Sequence, residues 1–401
     1  MLYQHQERLL KKNPKKCLLA WETGTGKTKI AIELAKKNGK NCLVIVPKGL
    51  LDQWKRIVLN EHPNSNSTKA FIYTIITKEQ FKKDIDNIDN YDVVVCDEAH
   101  YISNQKSQLS KAFQTYIKKY KTEYIYLLTA TPYLSTPWNI YALAMHLGYK
   151  MDYWKFKQKF FYDVVMGRRI VPIVKKGMED EIAKIVAHIG DIVRLDECVD
   201  VPQQVFEVEH FKMTEAQTKA KAKVIEAYPI VKFTKYHQIE NGFLNGDGYE
   251  PDQKFENDKI DRIKEYCSQN KKIAIVCHYN LQLYGTEALL RLEFPERKIL
   301  IVNGETKNRD EVIQAAEKAD DCIIIINASC SEGYELPSFG IILFASLSFS
   351  YKNYKQIIGR FLRINKLKKN VYIHLVAEGV DEAVYKSILA KQDFDIAIYN
   401  Q

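Results

Sequence analysis

The sequence predicts an α/β protein of two lobes, each built on a parallel sheet. Short runs rich in Val and Ile recur along the chain, and they form two sets separated by residues 151–260, which lack that rhythm. Runs apolar at consecutive positions suit strands covered on both faces, the condition of a parallel sheet packed under helices. A length of 401 residues agrees, since roughly 150 residues per domain implies two or three domains.

The first set is CLLAW (17–21), CLVIVP (42–47), DVVVCDE (92–98) and EYIYLLTA (123–130); the second is KIAIVCHY (272–279), KILIVNG (298–304), CIIIINAS (322–329), GIILFAS (340–346) and VYIHLVA (371–377). The expected lobes are therefore residues 1–200 and 201–401. Between the sets the chain reads as helical and charged, with a small helical insertion over about 205–260. Within it, TEAQTKAKAKVIEAY is a helix opened by Thr214 as cap, and the Gly, Asn, Asp and Pro of NGFLNGDGYEPD (241–252) mark a surface loop.

Composition narrows the class. Hydrophobic residues at 46% and charged residues at 27% exclude a mainly disordered chain, and a net charge of +9 permits polyanion binding without establishing it. No apolar run has the length of a membrane span, and the opening MLYQHQERLLKKNPKK is polar, so the expectation is a cytoplasmic protein with no membrane partner. The eight cysteines contain no C-x-x-C pair and mostly lie in or beside β-branched runs, which reads as small buried hydrophobes rather than zinc ligands or disulfides.

After the strand CLLAW comes Glu22-Thr23-Gly24-Thr25-Gly26-Lys27-Thr28, then KIAIELAKKNG, whose Ile30, Ala31, Leu34 and Ala35 share one helical face and whose Gly39 ends it. Strand, glycine turn and helix stand in P-loop order. Two glycines let successive N–H groups and the helix N-terminus face a phosphate, Lys27 adds positive charge, and the Thr28 hydroxyl is suited to Mg²⁺. The stricter pattern places Gly at position 21, where this chain has Trp21. Hydrolysis needs a second cluster at the end of a neighbouring strand, and VVVCDEAH supplies Asp97, Glu98 and His100. Asp97 would hold Mg²⁺ through water, and Glu98 would orient or deprotonate the attacking water.

Six segments in order resemble superfamily 2 helicases and translocases, and within them the Swi/Snf-type double-stranded DNA translocases and their compact viral and bacterial relatives. They are HQERLL with Gln6, WETGTGKT (motif I), LVIVPKGLLDQW (43–54, motif Ia), DEAH (97–100, motif II), LLTATP (127–132, motif III) and YKQIIGRFLRINK (354–366, motif VI). Ala130, Glu335 in SEGYEL (motif V) and the ending RINK depart from the usual pattern of that branch. The resemblance implies two tandem RecA-like P-loop lobes with ATP in the cleft between them. It also implies adenine contact by Gln6, and nucleotide contact by Thr23 to Thr28 and by Gln356, Arg360 and Arg363. Pro47, Lys48, Ser329 and Lys352 are then expected at nucleic acid, and Thr129, Thr131, Gly333 and Glu335 in coupling. His100 is either a hydrogen-bonded switch between lobes, as the resemblance implies, or a satisfied histidine at a strand end.

Arg360 and Arg363 have a physical rationale of their own: phosphoryl transfer spreads charge over the γ-phosphate, and guanidinium groups stabilise it. From Leu336 to Ala377 no acidic residue occurs while seven Lys and Arg do, an electrostatic footprint suited to a phosphate backbone. Tyr351 and Tyr354, beside that run, are candidate base-stacking residues. The leading expectation is a monomeric, ATP- and Mg²⁺-using, DNA-dependent motor directed by partner proteins and blind to sequence. An RNA helicase and a nucleotide-gated binding module without hydrolysis are the alternatives.

Overall fold

A computed structural model of the chain describes residues 2–61, 71–130, 137–166, 169–195, 197–198, 204–226, 228–246, 251–331, 333–362 and 369–390. The chain divides into two units, Met1–Asp200 and Val201–Gln401.

The first unit carries strands β1 (Lys16–Trp21), β2 (Asn41–Val46), β3 (Ile72–Thr77), β4 (Val93–Cys96), β5 (Tyr124–Thr129) and β8 (Gly190–Val193), all parallel in the order β3-β2-β4-β5-β1-β8. A separate antiparallel hairpin, β6 (Phe161–Met166) and β7 (Arg169–Val174), lies between β5 and β8 in sequence. Because successive side chains alternate across a sheet, the strand residues feed two cores in turn. Leu18, Ala20, Leu43, Ile45 and Leu127 join one apolar cluster, whereas Leu19, Trp21, Val44, Tyr126 and Leu128 join the other. The helix Lys27–Asn38 lays Ile30, Ala31, Leu34 and Ala35 on that second face, as its spacing predicts. Gly39 ends this helix in extended backbone, and a Cβ there would lie 2.7 Å from Asp92 Cβ, so close approach is what requires glycine.

The second unit repeats the plan with β9 (Val205–Phe211), β12 (Lys272–Cys277), β13 (Ile299–Val302), β14 (Cys322–Asn327), β15 (Ile341–Phe344) and β16 (Val371–Ala377), parallel in the order β13-β14-β12-β15-β16-β9. The expected surface loop 241–252 needs correction at its start: Asn241 and Phe243 are buried, and Phe243–Leu244 forms a two-residue strand, β10, paired with β11 (Gln253–Lys254), while residues 247–250 lie outside the described residues. Ala274, Val276, Ile324 and Ile326 face one core, and Ile273, Ile275, Ile323 and Ile325 the other.

The helical insertion over 205–260 needs correction at its start. Residues 205–211 form β9, the edge strand of the sheet, in register with Val371–Ala377 of β16. Their alternation VFEVEHF is that of a half-exposed edge strand, not a helix. The helix opened by Thr214 is present as Glu215–Ala222, with Thr214 Oγ1 accepting from Gln217 N at 3.3 Å in a capping box. The following helices Pro229–Glu240 and Asp258–Gln269 are tied into the unit: His237 Nε2 lies 2.9 Å from Asp381 Oδ1, and Lys259 Nζ donates to Asp381 Oδ2 at 2.6 Å. The cysteines are free, and all are buried except the half-buried Cys198. Among the described residues, no helix is long and apolar enough to cross a membrane.

Candidate functional site

The C-terminal ends of β1, β4 and β5 carry the chemistry of the first unit. From β1 the chain turns through Gly24 (φ 89°) and Gly26 (φ 83°) into the helix Lys27–Asn38. Both glycines occupy left-handed backbone that side chains disfavour. A Cβ on Gly26 would also stand 2.3 Å from Gln6 Nε2. Within the turn, the Thr25 hydroxyl donates to Glu22 O at 2.7 Å, and Lys27 Nζ donates to the carbonyls of Trp21 (2.7 Å) and Glu22 (3.0 Å). Thr23 and Thr28 are half-buried, Thr28 in the first helical turn.

The helix Gln4–Lys12 braces this loop from outside. Gln6 Nε2 donates to Gly26 O at 3.1 Å while its Oε1 accepts from Tyr3 N at 2.9 Å, and His5 Nε2 lies 2.9 Å from Thr25 O. What Gln6 grips in this structure is therefore the glycine turn itself. Trp21, in place of a glycine, is a second brace: its indole N–H donates to Asp191 Oδ2 at 2.8 Å, and Arg8 Nη2 reaches both oxygens of Asp191 at 2.9 and 2.8 Å. The turn is thus tied on one side to the first helix and on the other to β8.

Past β4, Asp97 Oδ2 accepts from Trp54 Nε1 at 2.7 Å and Oδ1 accepts from Glu98 N at 2.8 Å, which fixes the carboxylate plane. Burial, followed by the neighbouring charge of Glu98, pushes the Asp97 carboxyl up to about 6, opposed by the Trp54 bond and the Lys27 charge. Glu98 is held in left-handed backbone (φ 48°), with His100 Nδ1 3.1 Å from its Oε2. A buried non-glycine residue at such φ next to a second carboxylate is the local strain that functional sites store. Thr129 ends β5, fully buried and in register with Ala20 of β1. A glycine cradle that a Cβ would fill, a lysine at its base and two adjacent carboxylates within its electrostatic reach fit a nucleoside triphosphate with Mg²⁺.

In the second unit, Gln356 and Arg360 lie buried on the helix Tyr351–Phe361. Ser331 Oγ donates to Gln356 Oε1 at 2.9 Å, and Arg360 Nε donates to Ser331 O at 2.6 Å. Gln356 Nε2 has no hydrogen-bond partner among the described residues, an orphaned donor that costs free energy unless a ligand meets it. Gly333 takes φ 84°, Glu335 is exposed, and the guanidinium carbons of Arg309 and Arg360 are 5.1 and 5.9 Å from the ring centroid of Tyr334. Ser329 is exposed, its hydroxyl donating to Asn327 Oδ1 at 2.7 Å; Lys352 is half-buried. In the first unit, Pro47 is buried ahead of the turn Lys48–Leu50, with Lys48 exposed. Arg363 and Thr131 lie outside the described residues.

One expectation fails. Tyr354 is a core residue, 9% exposed, its hydroxyl 2.9 Å from His374 Nε2, and it offers no face to a base. Three residues of the site went unnoticed: Trp54, Asp191 and His5. Trp54 was legible only as the last letter of motif Ia, and Asp191 meets Trp21 across 170 positions, a pairing that no local pattern signals.

Fold and site together define a P-loop nucleoside triphosphatase built from two parallel-sheet units. Family models match twice: Type III restriction enzyme, res subunit, over residues 2–134, and Helicase conserved C-terminal domain over residues 258–365. The chain belongs to the superfamily 2 helicases and translocases. It is 28% identical over 168 residues to an uncharacterized ATP-dependent helicase, YqhH, of Bacillus subtilis (strain 168), covering 35% of this chain and 28% of that protein. It is 26% identical over 181 residues to nucleoside triphosphatase I of Melanoplus sanguinipes entomopoxvirus, covering 38% of this chain and 28% of that protein. The match thus spans under a third of either relative. The Pyrococcus furiosus Hef helicase domain shares the fold with a TM-score of 0.56 at 16% identity, over 96% of this chain and 99% of that one.

Proposed function

We propose that the chain is a DNA-dependent ATPase motor of the Swi/Snf-like branch, with residues 1–200 binding the nucleotide and residues 201–401 completing the response to nucleic acid. The observation that carries the reading is the conjunction, at the ends of β1 and β4, of a braced glycine turn with Lys27 and the Asp97–Glu98 pair. In it the N–H groups of Thr23 to Thr28 and the Lys27 ammonium bind the β- and γ-phosphates. Thr28 and Asp97 would hold Mg²⁺, which neutralises phosphate charge. Glu98 takes the proton of the attacking water, oriented by His100. Arg360 and Arg363 stabilise the charge on the transferred phosphoryl group, and Gln356 offers its unsatisfied amide to the same ligand.

Lys48, Ser329 and Lys352 meet the phosphate backbone, and Thr129, Thr131, Gly333 and Glu335 link hydrolysis to movement. Such contacts make binding salt-dependent and indifferent to sequence. The test is the ATPase rate titrated with single-stranded DNA, duplex DNA, branched DNA and RNA at matched salt, followed by strand displacement on the best substrate. Stimulation by DNA above RNA supports the reading; RNA as the better activator makes the chain an RNA helicase, and turnover indifferent to every polynucleotide removes the motor.

A further inference from the structure

One surface of the first unit combines positive charge with exposed aromatic rings and takes no part in the nucleotide site. Between Lys150 and Gly177 the sequence has eight basic residues and two acidic ones, in a chain whose whole net charge is +9. The segment is built from the helix Tyr153–Phe160, which runs directly into the β6–β7 hairpin.

The inner face of this helix is fixed by an aromatic pad. Phe156 and Phe160 are buried, with ring centroids 4.9 Å apart, and Trp138 packs edge-on against Phe161 at 5.0 Å. With positions 156 and 160 turned inward, helical geometry carries Trp154 and Lys155 to the outer face, while Lys159, on the flank, pairs with Glu181 at 3.3 Å. Trp154 is 63% exposed and Tyr162, on the hairpin, 49%. The backbone beneath Trp154 is anchored, because Asp152 Oδ1 accepts from Trp154 N at 2.9 Å and from Lys155 N at 3.1 Å. The backbone that carries the indole is therefore held in place. Lys157 Nζ stands 5.7 Å from its centroid, held there by Asp163 at 2.6 Å. Lys155 and Lys176 are exposed and have no carboxylate partner among the described residues.

An exposed indole among cations is the combination that binds unpaired nucleotides: a base stacks on the ring while the flanking phosphates meet the ammonium groups. A duplex hides the faces of its bases, and an acidic peptide would satisfy the lysines without using the ring. We propose that the outer face of the helix Tyr153–Phe160 and the adjoining hairpin bind single-stranded nucleic acid, with a base stacked on Trp154 and phosphates at Lys155 and Lys176. This rests on the motor reading and adds to it a strand-capture surface outside the helicase motifs.

The test uses the full chain and the fluorescence anisotropy of a labelled oligothymidylate and a labelled blunt duplex across a salt series, without nucleotide. Trp154→Ala should weaken oligothymidylate binding on the order of tenfold and leave duplex binding within twofold, and Trp154→Phe should restore most of the loss. The double change Lys155→Glu, Lys176→Glu should lower the slope of log affinity against log salt by about 1 to 2. ATP turnover without polynucleotide should be unchanged in all three. If the variants bind both probes like the parent with the same slope, while the parent's turnover is still stimulated by DNA, the surface is not a strand site and the motor stands. Equal loss on duplex and oligothymidylate, or displacement of the oligothymidylate by polyglutamate of matched charge, overturns the single-strand assignment. A parent chain that binds neither probe overturns the motor reading itself.

Discussion

Replacing Gly26 with alanine puts a side chain where the braced glycine turn has no room for one. Gly26 sits at φ 83°, and a side chain in that left-handed region costs about 1–2 kcal/mol. The new Cβ would lie 2.3 Å from Gln6 Nε2, so the Gln6 amide must leave, and its 3.1 Å bond to Gly26 O goes with it, a further ~1 kcal/mol. The sum is roughly 2–3 kcal/mol, below the 5–15 kcal/mol that a folded domain typically holds, so the chain still folds with a lowered melting temperature. If the loop escapes the strain by changing shape, the same free energy appears as ATP affinity lost by roughly 30- to 150-fold. Thermal melting and binding of a fluorescent ATP analogue measure the two channels. The double variant Gln6→Ala, Gly26→Ala separates the terms: it removes the steric contact and leaves the backbone strain, so its loss should be less than the sum of the single losses. Wild-type melting and ATP binding in Gly26→Ala would mean that neither the left-handed backbone nor the Gln6 contact constrains the turn.

Trp54→Phe keeps an aromatic side chain in this buried position and removes the indole N–H bonded to Asp97 at 2.7 Å together with the rest of the five-membered ring; turnover should fall on the order of tenfold with ATP affinity within a few fold, read from steady-state phosphate release. Arg360→Ala should reduce kcat by about 10³ while leaving ATP affinity nearly intact, and an unchanged nucleic-acid-stimulated rate would remove Arg360 from the reaction. In the second unit, Asp381 is buried, which alone would raise its carboxyl; the Lys259 charge and the His237 bond outweigh this and hold it well below the usual carboxylate range. A depressed folded value means that its stabilisation is present above the unfolded pKa, near 3.8, and is lost as pH falls toward the folded value. Asp381→Asn should therefore cost about 3–5 kcal/mol at neutral pH, and the gap to the parent in urea unfolding should shrink below about pH 4.

The strands fully covered on both faces were legible in the sequence, because burial on both sides demands apolar residues at every position. CLLAW, CLVIVP, VVVC and CIIIIN each fall within or closely match an observed strand. Edge strands were not. β3 is only half-buried, β8 is four residues opening with Gly and Asp, and β9 alternates apolar and charged residues. The glycine turn and the carboxylate pair could be read because their chemistry is local in sequence. Their braces could not: Trp54 reaches Asp97 over 43 positions and Asp191 reaches Arg8 over 183, contacts that exist only once the sheet has assembled. Tyr354 was misread because a tyrosine in a basic helix looks the same in sequence whether it faces solvent or, as here, His374.

Glu98→Gln isolates the step in which Glu98 acts on water bound next to a nucleotide held by the glycine turn. Amide and carboxylate are nearly the same size, so the strained backbone at φ 48° and the neighbouring Asp97 are left in place. Mg²⁺-dependent ATP binding should match the parent while single-turnover phosphate release falls by about 10² or more. Release at the parental rate would remove Glu98 from the chemical step, and loss of binding together with hydrolysis would make it a residue that holds the nucleotide.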